Sequence, residues 1–336
     1  MTQATEIQLR IGVLAAGAWG TALAANWAQR HAVTLWAREP EVVESINTAH
    51  VNQRFLPNIR LPDSLQATAE LAGIVGSDVL VLATPVAGLR STLQSLQALY
   101  AGKALPPLVW VCKGFEPKTG LLPHQVVRDV LGNVPAAALS GPSFAQEVAK
   151  GLPTAVTLGS SDLGLAEKLA AWLHTPNLRL YASADVVGVE VGGAVKNVLA
   201  IATGISDGLS LGHNARAALM TRGLAEIARL CERLGGQRET LTGLAGLGDL
   251  ILTCTGDLSR NRQVGLALGG GKTLQETLDA LGHVAEGVGT AREVARLSVE
   301  LSVDMPIARA VAAVIAGDLA AKDAVVQLMS RAQRAE

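Results

Sequence analysis

One stretch decides the fold of this chain: Ile11-Gly12-Val13-Leu14-Ala15-Ala16-Gly17-Ala18-Trp19-Gly20. Its apolar start, 11–15, predicts a buried strand, and a helical pattern follows over 22–29. Gly17 and Gly20 occupy the second and third places of the fingerprint GxGxxG, whose glycines let the backbone approach a pyrophosphate and let the helix pack on the strand. Amide groups and the dipole at the helix N-terminus attract phosphates. The stretch therefore predicts a dinucleotide-binding turn with contacts from Gly17, Ala18, Trp19 and Gly20.

The first place of the fingerprint holds Ala15 instead of glycine. Alanine is the smallest substitute, but it is strained where the backbone needs a positive φ. An ordinary Gly/Ala-rich turn is the alternative interpretation. The position between a strand and a helix, at the start of an alternating α/β region, favours the fingerprint.

Further along the chain, apolar strands alternate with helices up to about residue 185. Continuous apolar strands separated by helices predict a parallel sheet covered on both faces. From residue 185 onward the pattern is helix after helix. The fold class predicted is therefore α/β, with a Rossmann-type doubly wound sheet over residues 1–184 and an all-helical substrate-binding domain over residues 185–336. The strands are expected at 11–15, 32–36, 78–84, 108–112, 136–139, 155–158 and 178–181, and the first helices at 22–29, 86–99, 121–131 and 163–173.

Composition excludes several classes of protein. Aromatic residues are only 3% of the 336 and the net charge is −1, which argues against nucleic-acid binding. The three cysteines, Cys112, Cys231 and Cys254, are far apart, so neither a disulfide scaffold nor a metal site is predicted. A polar N-terminus lacks the features of a signal peptide, and polar residues or glycine interrupt the apolar windows, so no membrane span is expected. A cytoplasmic protein is the expectation.

The end of the second predicted strand bears on the choice of cofactor. Arg38 is the first charged residue after it, and its planar guanidinium suits the 2′-phosphate of NADP. Glu39 follows and could bind the 2′-hydroxyl of NAD instead. NADP is therefore the preferred cofactor and NAD the second. Both residues could also simply begin a helix.

Lys196 is the strongest candidate for chemistry. It lies in an apolar stretch of small residues, Gly192-Gly193-Ala194-Val195-Lys196-Asn197-Val198-Leu199-Ala200, in a chain with eight lysines and twenty arginines. Burying a lysine is costly unless it is paired or neutral, and this cost is typical of a working acid, base or amine. The alternative is a lysine whose methylenes follow the core and whose tip reaches water.

Taken together, an ordered set of motifs resembles NAD(P)-dependent glycerol-3-phosphate dehydrogenase of the bacterial type. The resemblance extends over nearly the whole chain, and its main departure is Ala15, where the family shows glycine. The set is more specific than any single member. It consists of 193–200 with Gly204, Asp207-Gly208 and Gly212-His213-Asn214, then 246–250 with Thr253-Cys254 and Ser259-Arg260-Asn261, and also Val111-Cys112-Lys113-Gly114, Ser140-Gly141-Pro142-Ser143-Phe144-Ala145 and His283-Val284-Ala285-Glu286-Gly287.

The resemblance implies interconversion of dihydroxyacetone phosphate and sn-glycerol 3-phosphate, which supplies phospholipid synthesis. Lys196 would donate the proton and Lys113 would be a second cation, while Asn197 and Asp249 would orient Lys196 and the hydroxyls. It also implies a homodimer. The implied substrate contacts are Lys113, Gly141, Ser143, Lys196, Asp249, Ser259, Arg260 and Asn261, and the implied cofactor contacts beyond the turn are Arg38, Lys113, Ala145, Arg260, Val284 and Glu286.

Two other functions stay open from the residues alone. One is a different two-domain dehydrogenase, such as a 3-hydroxyacid or ketopantoate-type reductase, which also uses a helical lysine. The Ser259-Arg260-Asn261 set favours a phosphate ester over a carboxylate, although arginine binds either. The other is a non-catalytic dinucleotide sensor, which has no need of two lysines.

Overall fold

The computed structural model describes residues 8–281 and 285–331. They form two compact units. The first comprises the described residues up to Cys112 together with Pro123–Val186. The second comprises Lys113–Leu122 together with the described residues from Val187 onward.

The first unit is built on a sheet that has eight strands within the described residues. Starting from one edge, the order is third, second, first, fourth, fifth, sixth, seventh and eighth strand. The chain thus leaves the first strand toward one edge and returns to build the other half, which creates the switch point where open α/β sheets bind ligands. The strands are β1 (Arg10–Leu14), β2 (Ala32–Trp36), β3 (Gln66–Thr68), β4 (Val79–Leu82), β5 (Leu108–Trp110), β6 (Ala136–Ser140), β7 (Thr154–Gly159) and β8 (Leu178–Ser183).

The helices of the first unit cover the sheet. Trp27 is fully buried, and its indole Nε1 donates to the carbonyl oxygen of Leu173 at 2.8 Å, which ties the first helix to the last one of this unit. The helices are α1 (Ala18–Trp27), α2 (Pro40–Ala49), α3 (Val86–Leu99), α4 (Pro123–Leu131), α5 (Ala145–Ala149) and α6 (Leu163–Leu173).

The α/β fold class is confirmed, but the expectation of an all-parallel sheet is wrong at one place. Strand β7 runs antiparallel to β6, whereas the other neighbouring strands in the described sheet are parallel. A parallel return needs a helix about as long as the strand, and α5 rises only about 7–8 Å against roughly 17 Å for β6. The sequence patterns also missed α2, β3 and α5, which are short or weakly periodic.

The second unit is helical in its described residues, apart from turns. Its central helix, α7 (Val186–Gly208), is buried from Gly188 to Ser206. By length and composition α7 could cross a membrane, but 94% of its most apolar window is buried within the protein, as in the core helix of a globular unit. The others are α8 (Gly212–Arg233), α9 (Asp249–Thr255), α10 (Arg260–Gly269), α11 (Leu274–Leu281), α12 (Glu286–Glu300), α13 (Pro306–Ala316) and α14 (Ala321–Met329).

The segment Lys113–Leu122 groups with the helical unit although it follows β5 in sequence. Phe115 and Leu122 are 2% and 1% exposed and lie in the same apolar core as α7. The sequence assigns all of 1–184 to the sheet domain, so it differs from the structure over this segment. Apolar contacts made across long stretches of sequence explain the difference.

Candidate active site

Lys196 lies on α7 with 7% of its surface exposed. Its Nζ forms an ion pair with Oδ1 of Asp249 and donates to Oγ1 of Thr253 at 2.9 Å. The ammonium therefore does not reach water in the manner of a surface lysine. Its hydrogen bonds instead offset the cost of burying a charge.

Asp249 joins two lysines. Its Oδ2 accepts from Nζ of Lys113 at 2.6 Å while Oδ1 pairs with Lys196, and the aspartate is 1% exposed. It begins α9 directly after a π-helical turn, Leu244–Gly248. Such turns occur often at functional sites because they redirect the side chains that follow. The result is two cations held on one buried carboxylate.

Burial lowers the pKa of Lys196 from 10.5 to about 8. Desolvation is the main cause, the charge of Asp249 opposes it, and the charge of Lys113 adds to it. A lysine that titrates near neutral pH can both give and accept a proton under working conditions. The cluster therefore has the electrostatics of an acid/base centre.

Thr253 belongs to this cluster, although the sequence reading gave it no role. Its Oγ1 donates to the carbonyl oxygen of Asp249 at 2.6 Å and accepts from Lys196. It lies four residues after Asp249 on α9, so the two side chains share one helix face. That spacing was the signal available in the sequence.

Asn197, which follows Lys196 on α7, is bonded to a residue of α10. Its Oδ1 accepts from Nδ2 of Asn261 at 2.9 Å, and Oδ1 of Asn261 in turn accepts from the backbone amide of Gly287 at 3.0 Å. This chain of bonds links α7, α10 and α12. A Cβ on Gly287 would lie 2.9 Å from the carbonyl oxygen of Asn197, so glycine permits this close approach.

The Ser259-Arg260-Asn261 set surrounds the start of α10. Ser259 is the N-cap, and its Oγ accepts from the amide of Arg262 at 3.3 Å. Arg260 is exposed and interacts electrostatically with Glu286 at the start of α12. Burial raises the pKa of the Glu286 carboxyl, and the positive charges of Arg260, Lys113 and Lys196 oppose that rise.

Glycines bring α10 against α7. A Cβ on Gly204 would lie 2.2 Å from the carbonyl oxygen of Arg262, and one on Gly265 would lie 2.1 Å from that of Ile201. Real side chains cannot occupy such positions, so the two backbones touch. This contact fixes the start of α10 relative to Lys196 on α7.

The turn predicted to bind the dinucleotide lies between β1 and α1 in the first unit. Gly17 is the N-cap of α1, has no side-chain cap, and would place a Cβ in open space. A Cβ on Gly20 would lie 2.2 Å from the carbonyl oxygen of Ala15, so α1 packs on the turn itself. A helix N-terminus without a side-chain cap can bind a pyrophosphate through its backbone amides.

Ala15 takes φ = 86°, a conformation that favours glycine. Its amide donates to the carbonyl oxygen of Trp36 at 3.0 Å, which fixes the turn to the end of β2. The strain that alanine would suffer at positive φ is therefore present.

We expect Ala15→Gly to stabilise the protein and to tighten NADPH binding. Relief of left-handed strain gains about 1–2 kcal/mol, and glycine's greater freedom in the unfolded chain offsets about 0.4–1 kcal/mol of it. Urea unfolding and NADPH titration of both forms measure this. A lower unfolding free energy for the glycine form would contradict the assignment of strain.

The remaining candidates in the first unit lie on loops and helix starts. Gly141 has φ = 145° after β6, and its carbonyl oxygen accepts from Oγ of Ser143 at 3.0 Å. Ala145 begins α5. The Arg38 side chain is 84% exposed and lies 3.4 Å from Glu39, the N-cap residue of α2. Val284 and His283 lie outside the described residues.

Comparison with known proteins gives consistent results. Models of the NAD-dependent glycerol-3-phosphate dehydrogenase N-terminus and C-terminus match residues 10–166 and 185–326. Glycerol-3-phosphate dehydrogenases [NAD(P)+] from Dechloromonas aromatica and Thiobacillus denitrificans are 58% and 56% identical, each over 98% of this chain and 99% and 100% of the relative. A crystal structure of glycerol-3-phosphate dehydrogenase from Coxiella burnetii has a TM-score of 0.91 and 43% identity, covering 96% of this chain and 99% of that one.

Proposed function

This chain belongs to the NAD-dependent glycerol-3-phosphate dehydrogenase family, and from that premise we propose that Lys196 is the acid/base of its reaction. The chain is an oxidoreductase that interconverts dihydroxyacetone phosphate and sn-glycerol 3-phosphate with NAD(P)H. One observation carries the assignment of Lys196. It is a buried lysine whose Nζ is held by Asp249 and Thr253 and whose pKa is lowered to about 8.

The nicotinamide cofactor, when bound, supplies or takes up the hydride. Lys196 carries out the proton transfer that accompanies hydride transfer. In the direction of reduction, Nζ gives a proton to the ketone oxygen, and in the direction of oxidation it takes the hydroxyl proton back. Asp249 and Thr253 accept two of the three hydrogens of Nζ, so one hydrogen remains available to a substrate oxygen.

Lys113 has a complementary role in this proposal. Its Nζ shares Asp249 with Lys196, which places two positive charges on one negative charge in a nearly dry site. A net positive site stabilises the negative charge that develops on the substrate oxygen. Fixed charges of this kind need no rearrangement during the reaction, and low exposure of the site strengthens their effect.

The start of α10 is the proposed phosphate site. Ser259 already caps the helix, so its hydroxyl has a structural partner. Arg260 is exposed there and offers a guanidinium fork to the phosphate. The close contact of α10 with α7 and the Asn197–Asn261 bond fix this site relative to Lys196.

We expect removal of Arg260 to weaken the phosphorylated substrate selectively. Arg260→Ala should raise the KM of dihydroxyacetone phosphate by about 10- to 100-fold, since a charge-assisted bond contributes about 1.5–3 kcal/mol. Unphosphorylated dihydroxyacetone should be affected much less. Initial rates with both substrates measure this, and Arg292→Ala, an exposed arginine on α12, is the control. Equal losses for both substrates would reject a phosphate role.

Arg38 is the proposed source of a preference for NADP over NAD. Arg38→Ala should raise the KM for NADPH by a factor that corresponds to about 1.5–3 kcal/mol, because one charge-assisted contact is lost. NADH should be almost unaffected, since it has no phosphate at that position. KM values for the two cofactors, measured at saturating dihydroxyacetone phosphate, decide the matter, and equal effects would mean that Arg38 only supports the loop.

The decisive test of the whole assignment is a substrate panel. Dihydroxyacetone phosphate should be reduced with NADPH and with NADH, and faster than ketopantoate or a 3-oxo acid. Preferential turnover of an oxo acid would favour the other class of two-domain dehydrogenase. Cofactor binding without any turnover would favour a sensor.

We also propose that the protein is a cytoplasmic homodimer that prefers NADP and supplies glycerol 3-phosphate for phospholipid synthesis. Support for the compartment comes from the sequence, whose three cysteines, Cys112, Cys231 and Cys254, are few and far apart. The dimer rests on family resemblance. Light scattering after size-exclusion chromatography tests it, and a monomeric mass would overturn it.

A further inference from the structure

The loop between α2 and β3 reaches the dinucleotide-binding turn through one buried side chain, Asn52. It is 0% exposed, and its Nδ2 donates to the carbonyl oxygen of Ala16 and to Oγ1 of Thr21, each at 2.8 Å. Oγ1 of Thr21 also donates to the Ala16 carbonyl at 3.2 Å. The carbonyl oxygen of Ala16, the residue after the strained Ala15, therefore accepts two hydrogen bonds.

The loop that carries Asn52 is itself well anchored. Oδ1 of Asn52 accepts from the amide of Phe55 at 3.1 Å, and the carbonyl oxygen of Asn52 accepts from the amide of Leu56 at 2.9 Å. Leu56 and Ile59 are 1% and 8% exposed and pack in one cluster with residues of α1 and α5. Asn52 is thus held by hydrogen bonds within its own loop and by the apolar packing of that loop.

A strained conformation persists only where its surroundings fix it. Ala15 needs such support because its φ of 86° disfavours every residue with a Cβ. Contacts hold the backbone before and after Ala15: the Ala15 amide donates to Trp36, and Asn52 and Thr21 donate to the carbonyl of Ala16, which lies one peptide group beyond Ala15. A glycine at position 15 would need neither to keep the same shape.

We propose that Asn52 is a positioning residue that compensates for the missing first fingerprint glycine, holding the Ala15–Ala16 turn in the shape that binds the pyrophosphate. This inference rests on the proposed placement of the pyrophosphate at the turn. Asn52 acts through the backbone of Ala15 and Ala16. Its contribution to cofactor binding therefore depends on which residue stands at position 15.

The dependence has a defined size and direction. When only a fraction of the free protein has the competent turn, the apparent Kd rises by the inverse of that fraction. With Ala15 in place, Asn52→Ala lets the turn relax, and we expect the Kd for NADPH to rise about tenfold. With Ala15→Gly in place, the turn keeps its shape unaided, and the same change should raise Kd by less than about threefold.

The test is a double-mutant cycle at positions 15 and 52, read by NADPH titration of the purified protein and by thermal unfolding without cofactor. Asn52→Asp is the second variant. It keeps an acceptor for the Phe55 amide but removes both donors, so it should reproduce the loss even if Asn52→Ala folds poorly. In both readouts Ala15→Gly should rescue either variant.

A matched control is available in the same unit. Asn47 also makes two backbone bonds, since its Nδ2 donates to the Ala67 carbonyl at 2.9 Å and its Oδ1 accepts from the Ala67 amide at 2.8 Å. Those bonds join α2 to β3 and do not involve the turn. Asn47→Ala should lower the melting temperature equally with alanine and with glycine at position 15. An equal NADPH penalty for Asn52→Ala in both backgrounds would overturn the proposal.

A last variant separates this inference from the function on which it rests. Gly17→Asp adds a good N-cap in open space but sets a negative charge against the pyrophosphate. NADPH binding should fall while the melting temperature holds. Unchanged binding would refute the pyrophosphate site and the inference together. Weakened binding without coupling between positions 15 and 52 would refute the role of Asn52 alone.

Discussion

Lys196→Ala should lower the turnover of dihydroxyacetone phosphate by about 10²–10⁴-fold, the range that a positioned proton donor contributes. The fold should survive, because Asp249 keeps Lys113 as its partner. Cofactor binding should change little, since the proposed pyrophosphate site is the Gly17 turn. Stopped-flow or steady-state rates at saturating substrate measure the loss. Near-native turnover would make Lys196 structural and the proposed mechanism wrong.

The pH dependence gives Lys196 a second signature. Reduction needs the protonated amine, so its rate should be highest below the pKa of about 8 and fall above it. Oxidation needs the neutral amine, so its rate should rise through the same pH range. Lys196→Met fills similar space and transfers no proton, so it should abolish the pH dependence of both reduction and oxidation. Lys272→Ala replaces an exposed lysine of the same unit and should leave both pH dependences unchanged.

Among the variants of the candidate active site, Asp249→Ala should lower the free energy of unfolding most. It leaves the buried Lys196 and the partly buried Lys113 without their shared negative charge. Breaking a buried ion pair by removing one partner costs about 3–5 kcal/mol. Urea unfolding at pH 7 measures the loss, and Asp318→Asn, an exposed aspartate after α13, is the control. A variant as stable as the control would mean that the lysines do not depend on Asp249.

The loss should depend on pH in a definite direction. Asp249 raises the pKa of Lys196, so its removal lowers that pKa further below the value of the unfolded chain. When the pKa of a lysine is lower in the folded than in the unfolded protein, the free energy of unfolding is reduced in full at pH values below the folded pKa. This reduction declines as the pH rises from the folded pKa toward the unfolded pKa. The gap between variant and wild type should therefore narrow from pH 7 to pH 9. Asp249→Asn should also move the upper pH limit of reduction downward. A constant gap or an unmoved limit would contradict the coupling of these groups.

Sequence alone was sufficient for the α/β alternation and the helical second half, because apolar periodicity reflects which residues a strand or helix buries. It failed where elements are short. It also could not give the direction of β7, because that direction depends on the length of α5 compared with β6. It placed Lys113–Leu122 in the sheet domain, whereas Phe115 and Leu122 of this segment lie in the apolar core with α7.

At the site, the sequence by itself determined which residues can act as acid, base or charged ligand. It singled out Lys196 because burying a lysine charge among small apolar residues costs free energy. Only the tertiary structure decided their partners. Lys113 and Asp249 are 136 residues apart in sequence yet 2.6 Å apart at their charged atoms, and Asn197 bonds to Asn261, 64 residues away in sequence.

The same division explains Ala15 and Asn52. The residues at 15–20 predicted a turn that can bind a dinucleotide, but they did not determine the sign of φ at Ala15. In the structure φ is positive, the Ala15 amide donates to the Trp36 carbonyl at the end of β2, and Asn52 donates to the Ala16 carbonyl. Backbone angles, pKa values and ion pairs are set by neighbours that folding brings together, so they depend on distances in space that spacing along a chain does not contain.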